Sequence, residues 1–385
     1  MSENPPPPFT AEHEELRESI RRFVEKEIAP QVPEWEDARE FPRELYERCG
    51  ELGFLGLKFP EEYGGQGGTH LHDAIWVEEL SRRGASGGGA AGLNAHSSIA
   101  MPPVYRFGNE WQRQRWVVPG ITGEKIGALG ITEPGAGSDV ASIKTSAKKV
   151  DGGWVVNGSK TFITNGVRGD FLVCAVKTTA EGGHGGISFL VLESDMPGYE
   201  VTGKLEKMGW HSSDTGEIAF TDVEVPDSHL LGEENGGFHL IMANFAWERL
   251  LMAIGAIGAM DRLIEQSIEY SKERSAFGRP IGSFQALRHK LADMATTAAA
   301  SRALTYDTLR RFEAGEVVIK EVSMAKLLTQ RALVEIAHEA IQIHGGYGYM
   351  REYEVERAYR DAMLGPIGGG TDEIMREIIS KNMGL

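Results

Sequence analysis

The stretch Trp154-Val-Val-Asn-Gly-Ser-Lys-Thr-Phe-Ile-Thr164 decides the fold class of this chain of 385 residues. It is rich in β-branched and aromatic residues, and its central Asn157-Gly158 is a common turn pair, so the pattern predicts two strands on a tight hairpin. Segments of similar composition predict further strands at Phe171–Val176, Ile187–Leu192 and Glu217–Val225. We therefore expect a β domain of short strands over residues 126–232.

On both sides of this β region, apolar residues recur at helical spacing. On the N-terminal side, Leu16, Ile20 and Phe23 open a helical pattern. It continues through Arg43–Leu52, His70–Arg83 and Ser97–Phe107. On the C-terminal side, the period predicts a bundle of long helices near residues 237–273, 284–314, 317–345 and 371–383. The expected fold is α+β and multidomain, with a Pro-rich leader over 1–10, an N-terminal α-helical domain over 11–125, the middle β domain over 126–232 and a C-terminal four-helix bundle over 233–385.

The composition is that of a soluble globular protein, with 41% hydrophobic and 25% charged residues. A net charge of −16 repels phosphate and anionic lipid, so binding to nucleic acid or to a membrane surface is not expected. The longest apolar run, Leu250–Met260, is too short to span a bilayer, and the Pro-rich N-terminus lacks the order of a signal peptide. The two cysteines, Cys49 and Cys174, fit a reducing compartment, and we expect a cytoplasmic protein.

Several familiar motifs match this sequence in part, but their structural context or spacing is wrong for the usual function. Gly87-Gly-Gly-Ala-Ala-Gly92 matches the dinucleotide pattern GxGxxG, but it follows a predicted helix instead of a strand, so the Rossmann interpretation is rejected. Gly153–Lys160 misses the spacing of a P-loop by one residue. The eleven histidines include no HExxH pair, and no metal site is predicted.

The segment Thr132-Glu-Pro-Gly-Ala-Gly-Ser-Asp139 has two interpretations. Proline and glycine break regular structure here, which leaves successive backbone N–H groups and the hydroxyls of Thr132 and Ser138 free to donate. Such a nest suits an anionic or carbonyl-rich ligand. An ordinary surface loop explains the same residues, so both interpretations stay open on this segment alone.

Three further segments with glycine lie at predicted helix ends, and the first two have two interpretations each. Arg274-Ser-Ala-Phe-Gly278 offers a guanidinium to a pyrophosphate, although the helix dipole favours an arginine there in any case. Gln342-Ile-His-Gly-Gly-Tyr-Gly348 is either a helix C-cap or backbone exposed to a phosphorylated ligand. Pro366-Ile-Gly-Gly-Gly-Thr-Asp-Glu373 opens the last helix, with Thr371 as the candidate N-cap at an end that attracts anions.

Glu248 is the most informative single residue. The apolar stripe around it consists of Ile241, Phe245, Met252, Gly255 and Ala259, which share one helix face. Desolvation of a carboxylate in such a stripe raises its pKa, which suits a general base. A structural salt bridge is the alternative, but Arg249 is adjacent in sequence and points elsewhere on a helix.

Together and in this order, the motifs resemble those of the acyl-CoA dehydrogenases, flavin enzymes of fatty acid β-oxidation that convert acyl-CoA thioesters to 2-enoyl-CoA. The resemblance runs from about Glu14 to Met383. The segments that carry it are Ile131–Asp139, Lys160–Gly166, Glu273–Gly278, Gln342–Gly348 and Gly370–Glu373. It implies FAD in the crevice between the β domain and the bundle, a homotetramer in which two subunits contact each FAD, and an electron-transfer flavoprotein as acceptor.

The resemblance also implies a set of ligand-binding residues. The flavin would be lined by Leu129, Ile131, Thr132, Ser138, Phe162 and Thr164. The pyrophosphate and adenosine would be held by Arg274, Phe277 and Gln285 of one subunit, while Gln342 and Gly346 would meet the dinucleotide of the neighbouring subunit. The last helix would close the cofactor site with Thr371 and Glu373. The CoA side of the substrate would meet Ser138 and Arg249.

The catalytic base is implied to be Glu248. Many members of the family carry the base directly before the Gly-Thr of the last motif, where this chain has Gly369. Members similar to isovaleryl-CoA and long-chain acyl-CoA dehydrogenases carry it on the long helix, at the position of Glu248. Gly369 would then leave room for that carboxylate and donate its N–H to the thioester carbonyl. Phe162 replaces the tryptophan that often covers the flavin ring.

Three questions stay open at the level of sequence. An acyl-CoA oxidase or a flavin monooxygenase on the same fold is an alternative enzyme, and a non-catalytic helical assembly protein is an alternative of another class. The length and branching of the acyl group depend on a pocket floor expected near Asn94–Ser98. The small residues Ala253, Gly255 and Ala256 either widen that pocket or pack helices together.

Overall fold

The computed structural model describes residues 8–179 and 183–385, so residues 1–7 of the predicted leader lie outside the described part. Within it, eight α-helices precede the first strand. They are α1 Ala11–Phe23, α2 Val32–Ala38, α3 Glu44–Glu51, α4 His70–Arg82, α5 Gly87–Asn94, α6 Met101–Phe107, α7 Glu110–Gln112 and α8 Val118–Ile121. Single π-helical turns adjoin them at Val24–Ile28, Ala95–Ala100 and Arg113–Val117. The GxGxxG segment is the start of α5, and the element directly before it is the helix α4.

The middle of the chain forms one twisted sheet. Its strands are β1 Gly127–Gly130, β2 Ser146–Val150, β3 Gly153–Thr164, β4 Phe171–Lys177, β5 Ile187–Glu193, β6 Tyr199–Lys204, β7 Thr215–Pro226 and β8 Leu230–Leu231. Their spatial order is β6-β7-β3-β2-β4-β5-β8, and β1 lies parallel to β4. Strands β4 and β5 are buried along nearly their whole length, because helices or strands cover both of their faces.

The predicted hairpin at Asn157-Gly158 is wrong. The whole segment Gly153–Thr164 is one strand, which pairs with β7, and the tight turn lies earlier, at Asp151-Gly152. At Asn157 the register against β7 shifts instead, and its side-chain amide donates to Asp222 Oδ1 at 3.0 Å. The Asn-Gly pair forms a bulge because the chain on both sides of it has the same partner strand.

The C-terminal region is a bundle of long helices. Its members are α9 Gly237–Glu273, α10 Gln285–Glu313, α11 Ile319–His344, α12 Glu354–Ala362 and α13 Asp372–Asn382, with a two-residue hairpin of β9 Ser275–Ala276 and β10 Arg279–Pro280 after α9. Helix α11 packs against α9, α10, α12 and α13 and is the centre of the bundle. The order of helical domain, sheet and helical bundle confirms the expected fold class.

Helix α9 is the one helix in the described ranges that is long and apolar enough, by composition, to cross a membrane. Its most apolar window of 18 residues has a mean hydropathy of 1.4, and 59% of that window is buried inside the protein. The helix packs along α4 on one side and α11 on the other. These neighbours account for its apolar character, which is that of a core helix.

The small residues of α9 serve helix packing. A Cβ on Gly255 would lie 3.3 Å from Val77 Cγ1 of α4, and a Cβ on Gly258 would lie 2.3 Å from the carbonyl oxygen of Glu78. The two helices therefore approach too closely for a larger residue at Gly258. The question left open by the sequence is answered for Gly255, which lies against α4.

Candidate active site

Glu248 lies in the middle of α9 and turns its carboxylate toward the loop that precedes α13. A Cβ built on Gly369 of that loop would be 3.7 Å from Glu248 Oε1. Glu248 Oε2 is buried and has no hydrogen-bond partner among the described residues. Burial raises the pKa of Glu248, and the nearby charges of Arg249 and Lys326 oppose that shift. A buried carboxyl without a partner destabilises a fold, and a raised pKa at such a position is typical of a catalytic group.

Gly369 and Gly370 form a left-handed turn beside Glu248, with φ of +63° and +97°. A Cβ on Gly369 would meet Met252 Sδ at 2.6 Å, and a Cβ on Gly370 would meet Met375 Cε at 2.8 Å. The positive φ angles favour glycine at both positions, and the close contacts are with flexible methionine side chains. The Gly369 N–H makes no hydrogen bond within the described part of the chain and is available to an acceptor.

Two buried cations hold the carbonyl groups of this turn. Arg249 Nε donates to the Gly369 carbonyl at 3.1 Å, and Lys326 Nζ of α11 donates to the Gly370 carbonyl at 2.6 Å. Both side chains are buried, and burial lowers the pKa of Lys326 to about 8. Arg249, which the resemblance assigns to the CoA side of the substrate, thus binds the turn that carries Gly369.

Sequence reasoning missed Lys326, although the signal that singled out Glu248 was present. Val322 and Leu333 are buried apolar residues four before and seven after Lys326 on α11. A charged residue between them lies within an apolar stripe, which is the same anomaly. Scanning every helix for charges on its buried face would have found both residues.

The loop Thr132–Asp139 is anchored by an ion pair that the sequence did not reveal. Glu133 accepts a hydrogen bond from Lys160 Nζ at 2.8 Å and from the Thr145 N–H at 3.0 Å, and it accepts another from the Lys144 N–H. Burial alone would raise the pKa of Glu133, but Lys160 and these donors hold it below its ordinary value. The start of the loop is therefore fixed to β3, while most of the residues from Pro134 to Asp139 are exposed.

The expectation that this loop leaves its successive N–H groups free is wrong in part. Glu133 and Ala136 each donate their N–H to the other's carbonyl. The hydroxyls of Thr132 and Ser138 make no hydrogen bond within residues 8–179 and 183–385 and can meet a ligand. A Cβ on Gly135 would find no atom within 4 Å, so the loop borders open space.

The edge of β1 lies close to the start of the Glu248 helix. Leu129 and Ile131 pack in one hydrophobic cluster with Phe245, which is one helical turn before Glu248. The guanidinium carbon of Arg249 lies 5.1 Å from the centre of the Phe245 ring. The structure thus places these predicted flavin-lining residues in one cluster with an α9 residue that lies one turn from the predicted base.

Phe162 lies at an irregularity in the pairing of β3, where its side chain is exposed. The pairing with β7 shifts between Lys160 and Ile163, and Phe162 has a left-handed φ of +60°. Its side chain is 68% exposed. A bulky residue with positive φ is strained, and such strain is typical of functional sites. Thr164, at the end of the same strand, is half-buried and its hydroxyl has no partner in the described ranges.

A second group of predicted residues lies beyond the C-terminal end of α9. Arg274 ends the helix, and Phe277 forms the tip of the β9–β10 hairpin with φ of +53° and 95% exposure. The guanidinium carbon of Arg274 lies 5.7 Å from the ring centre of Tyr347. The motifs Arg274–Gly278 and Gln342–Gly348 therefore meet on one surface. The other predicted residues of this group, Gln285, Gln342 and Gly346, are also exposed.

The two groups are far apart within one chain. Glu248 and Arg274 are separated along α9 by about 39 Å at the helical rise per residue. One dinucleotide cannot contact the base and the exposed hairpin of the same chain. If both groups bind one cofactor, the two must come from different subunits.

The last helix and the pocket floor complete the predicted set. Thr371 is the N-cap of α13, as predicted, since its hydroxyl accepts the Ile374 N–H at 3.3 Å. Glu373 lies exposed in the first turn. At the expected floor, Ser98 Oγ donates to Asp73 Oδ2 at 3.3 Å, and Asn94 Oδ1 is buried with no partner among the described residues.

Three family models match the chain in order. They are the acyl-CoA dehydrogenase N-terminal domain over residues 10–124, the middle domain over 128–223 and the C-terminal domain over 235–384. The chain belongs to the acyl-CoA dehydrogenase family of oxidoreductases, and the resemblance inferred from its motifs is confirmed.

Individual relatives agree with the family assignment. The mitochondrial long-chain specific acyl-CoA dehydrogenase of Rattus norvegicus is 40% identical over 378 residues, which cover 97% of this chain and 87% of the relative. The crystal structure of a probable acyl-CoA dehydrogenase from Mycobacterium abscessus has a TM-score of 0.95 at 46% identity and covers 97% of this chain and 99% of its own. The FAD complex of PigA has a TM-score of 0.95 at 28% identity and covers 98% of each chain.

The predicted cofactor residues have the properties that FAD requires. Phe162 presents an uncovered aromatic ring near hydroxyls that have no partner in the described ranges, which suits a flat heteroaromatic ring with polar edges. Arg274 and Phe277 offer a guanidinium and an uncovered ring to a pyrophosphate and an adenine. The residues present therefore fit the cofactor.

Proposed function

We propose that this protein is an FAD-dependent acyl-CoA dehydrogenase that converts an acyl-CoA thioester to the trans-2-enoyl-CoA with Glu248 as the catalytic base. The observation that carries the proposal is the apposition of the unpartnered Glu248 carboxylate and the free N–H of Gly369. The family assignment and the FAD-bound relative of the same fold support the choice of cofactor.

Glu248 is suited to remove the α-proton of the thioester. Desolvation raises its basicity, and a base whose pKa lies nearer neutral transfers protons efficiently. The Gly369 N–H is the donor for the thioester carbonyl, where negative charge develops as the α-proton leaves. The left-handed turn at Gly369 and Gly370 fixes the direction of this donor before the substrate binds.

Bound FAD supplies the redox chemistry by accepting the β-hydrogen of the substrate with its electron pair. The chain contributes the binding surface. Phe162 would cover the ring, and Thr132, Ser138 and Thr164 would offer hydroxyls to its polar edge. Leu129 and Ile131 provide the apolar wall that keeps water from the reacting carbons.

Each cofactor site is proposed to contain two subunits of a homotetramer. The separation of about 39 Å between Glu248 and Arg274 supports this arrangement, because one dinucleotide cannot span it within one chain. The hairpin of one subunit would therefore hold the pyrophosphate and adenosine of an FAD whose flavin lies beside Glu248 of the other. The exposed Phe277 and Gln342 become interior residues of such a site.

The physiological acceptor is proposed to be an electron-transfer flavoprotein, as is usual in the family. The competing assignment, an acyl-CoA oxidase, differs only in its use of O₂. Anaerobic reduction by acyl-CoA followed by exposure to air separates the two, because an oxidase releases peroxide with rapid turnover. Slow reoxidation in air, together with rapid transfer to an electron-transfer flavoprotein, supports the dehydrogenase.

The substrate is proposed to be a long-chain or branched-chain acyl-CoA, since the base lies on α9 as in those subclasses. The floor of the expected pocket is not wholly apolar, because Asn94 has a buried oxygen without a partner in the described ranges and Ser98 binds Asp73. A panel of acyl-CoA thioesters of graded length and branching, each scored by bleaching of the flavin absorbance, identifies the preferred class.

The test of the base is the substitution Glu248→Gln. The variant should bind FAD but lose bleaching of the flavin by the best acyl-CoA of the panel, since the amide cannot accept the α-proton. Glu269→Gln, an exposed change on the same helix, is the matched control and should bleach normally. Near-normal bleaching in Glu248→Gln would exclude Glu248 from the role.

The two-subunit site has a separate test in mixed oligomers. Glu248→Gln and Arg274→Ala each damage every site when expressed alone. When they are co-expressed, a site that takes Glu248 from one variant and Arg274 from the other is intact, so activity should return. Failure of the mixture to exceed either parent, with mixed oligomers shown by mass spectrometry, contradicts the shared site.

A further inference from the structure

Lys326 is buried without an ion-pair partner within 4.0 Å among the described residues. The one hydrogen bond that its ammonium group makes there runs from Nζ to the Gly370 carbonyl at 2.6 Å. A neutral amide could donate to that carbonyl without the desolvation of an ammonium group. The positive charge at this position therefore needs a reason beyond the hydrogen bond.

The charges that act on Lys326 come from two neighbouring helices. They are Glu248 and Arg249 of α9 and Asp372 and Glu373 of α13. Asp372 already faces another cation, with its Oδ2 3.5 Å from Arg331, and the side chain of Glu373 is 79% exposed. Glu248 is the one carboxylate of the group that is buried and has no other partner in the described ranges.

We infer that Lys326 is a positioning residue of this active site, which fixes the Gly369–Gly370 turn by its carbonyl and places a positive charge beside the Glu248 carboxylate. The inference rests on the proposed role of Glu248. Arg249 holds the adjacent carbonyl from α9, so the turn is clamped from two helices at once. A clamped turn keeps the Gly369 N–H in place, and the charge favours the ionised form of Glu248.

Three substitutions separate the two parts of this role. Lys326→Arg keeps the charge and a donor, Lys326→Gln keeps a donor alone, and Lys326→Met keeps neither. Without the charge, Arg249 alone opposes desolvation of Glu248, so the pKa of Glu248 should rise further. Lys320→Met on the same helix, where the lysine is partly exposed beside Glu321, is the matched control.

The first measurement uses no substrate turnover. Infrared difference spectra against Glu248→Gln isolate the C=O stretch of the protonated Glu248 carboxyl and follow it with pH. In Lys326→Met and Lys326→Gln the titration should move to higher pH. Lys326→Arg and Lys320→Met should titrate like the unsubstituted protein, and an unshifted titration in both uncharged variants overturns the inference.

The second measurement is anaerobic flavin reduction by a saturating acyl-CoA as a function of pH. In Lys326→Met the flavin should be reduced on the order of tenfold more slowly or worse, because the Gly369 N–H is no longer aligned with the substrate. The pH below which the rate falls should also be higher in this variant. Lys326→Gln should reduce the flavin faster than Lys326→Met, but the fall of its rate at low pH should be shifted by the same amount. If Lys326→Met does not fold, Lys326→Gln carries the same comparison.

The outcomes distinguish the inference from the proposed function. If the unsubstituted protein is reduced by acyl-CoA and the uncharged variants keep its rate and pH profile, the inference fails and the function stands. If no acyl-CoA reduces the protein but the infrared titration shifts as expected, the function fails and the charge role of Lys326 stands.

Discussion

The Sδ atom of Met252 occupies the space that a side chain on Gly369 would need. A Cβ on Gly369 would lie 2.6 Å from this sulfur and 3.7 Å from Glu248 Oε1. Met252 is one helical turn after Glu248, so the two side chains enter one small volume from the same face of α9. A side chain at position 369 would therefore compete with Met252 for the space beside the Glu248 carboxylate.

The first prediction concerns transfer of the base from α9 to the loop. Glu248→Gln with Gly369→Glu should regain little flavin reduction, because the new side chain meets Met252 and adopts a left-handed backbone that costs roughly 1 kcal/mol or more. Adding Met252→Ala should raise the rate of reduction. Met252→Ala alone is the control, and a triple variant no faster than the double variant would show that the two positions do not share a pocket.

The second prediction concerns stability in the absence of ligand. Burial raises the pKa of Glu248 above its ordinary value of 4.5, so the folded state loses stability relative to the unfolded state as pH rises from there through the raised pKa. Glu248→Gln removes this loss. Its melting temperature should exceed that of the parent at neutral pH, and the difference should shrink toward zero below pH 4.5. If the melting temperature of Glu248→Gln at neutral pH is unchanged or lower, the Glu248 carboxylate is not buried without a partner.

The third prediction concerns the anchor of the Thr132–Asp139 loop. Lys160→Met leaves the Glu133 carboxylate buried without its cation and should destabilise the protein by about 3 kcal/mol or more. Chemical denaturation measures this loss. Lys160→Met with Glu133→Gln should be less destabilised than the single variant, because no buried charge is left unpaired. Affinity for FAD should fall in the single variant, since the loop then loses its ion pair to β3 and keeps there, within the described ranges, only the backbone hydrogen bond from the Thr161 N–H to the Thr132 carbonyl.

The fourth prediction concerns the exposed ring of Phe162. Phe162→Ala should weaken FAD binding by about threefold to tenfold, which corresponds to the stacking energy of one aromatic pair. Phe162→Trp should bind at least as tightly as the parent. Equilibrium titration of the apoprotein with FAD, followed by flavin fluorescence, gives both constants. Equal affinities in the alanine and parent proteins would show that the ring does not cover the cofactor.

Features that depend on a single element were predictable from the sequence. Thr371 was identified as an N-cap because its hydroxyl needs only the amide three residues later. Glu248 was singled out because the apolar stripe around it lies on one helix face. The hairpin at Asn157-Gly158 was predicted wrongly, since the same dipeptide suits a turn and a bulge, and the partner strand β7 decides between them.

The sequence by itself determined the order of helical domain, sheet and bundle and the family, and it singled out Glu248 as the candidate base. Only the tertiary structure decided that Lys326 of α11 reaches this site, and that the Gly369–Gly370 turn is held by cations from two helices. Periodicity assigns a side chain to a face of its own helix. It carries no information on which residue of a distant element lies opposite, because that distance is set by how whole helices pack.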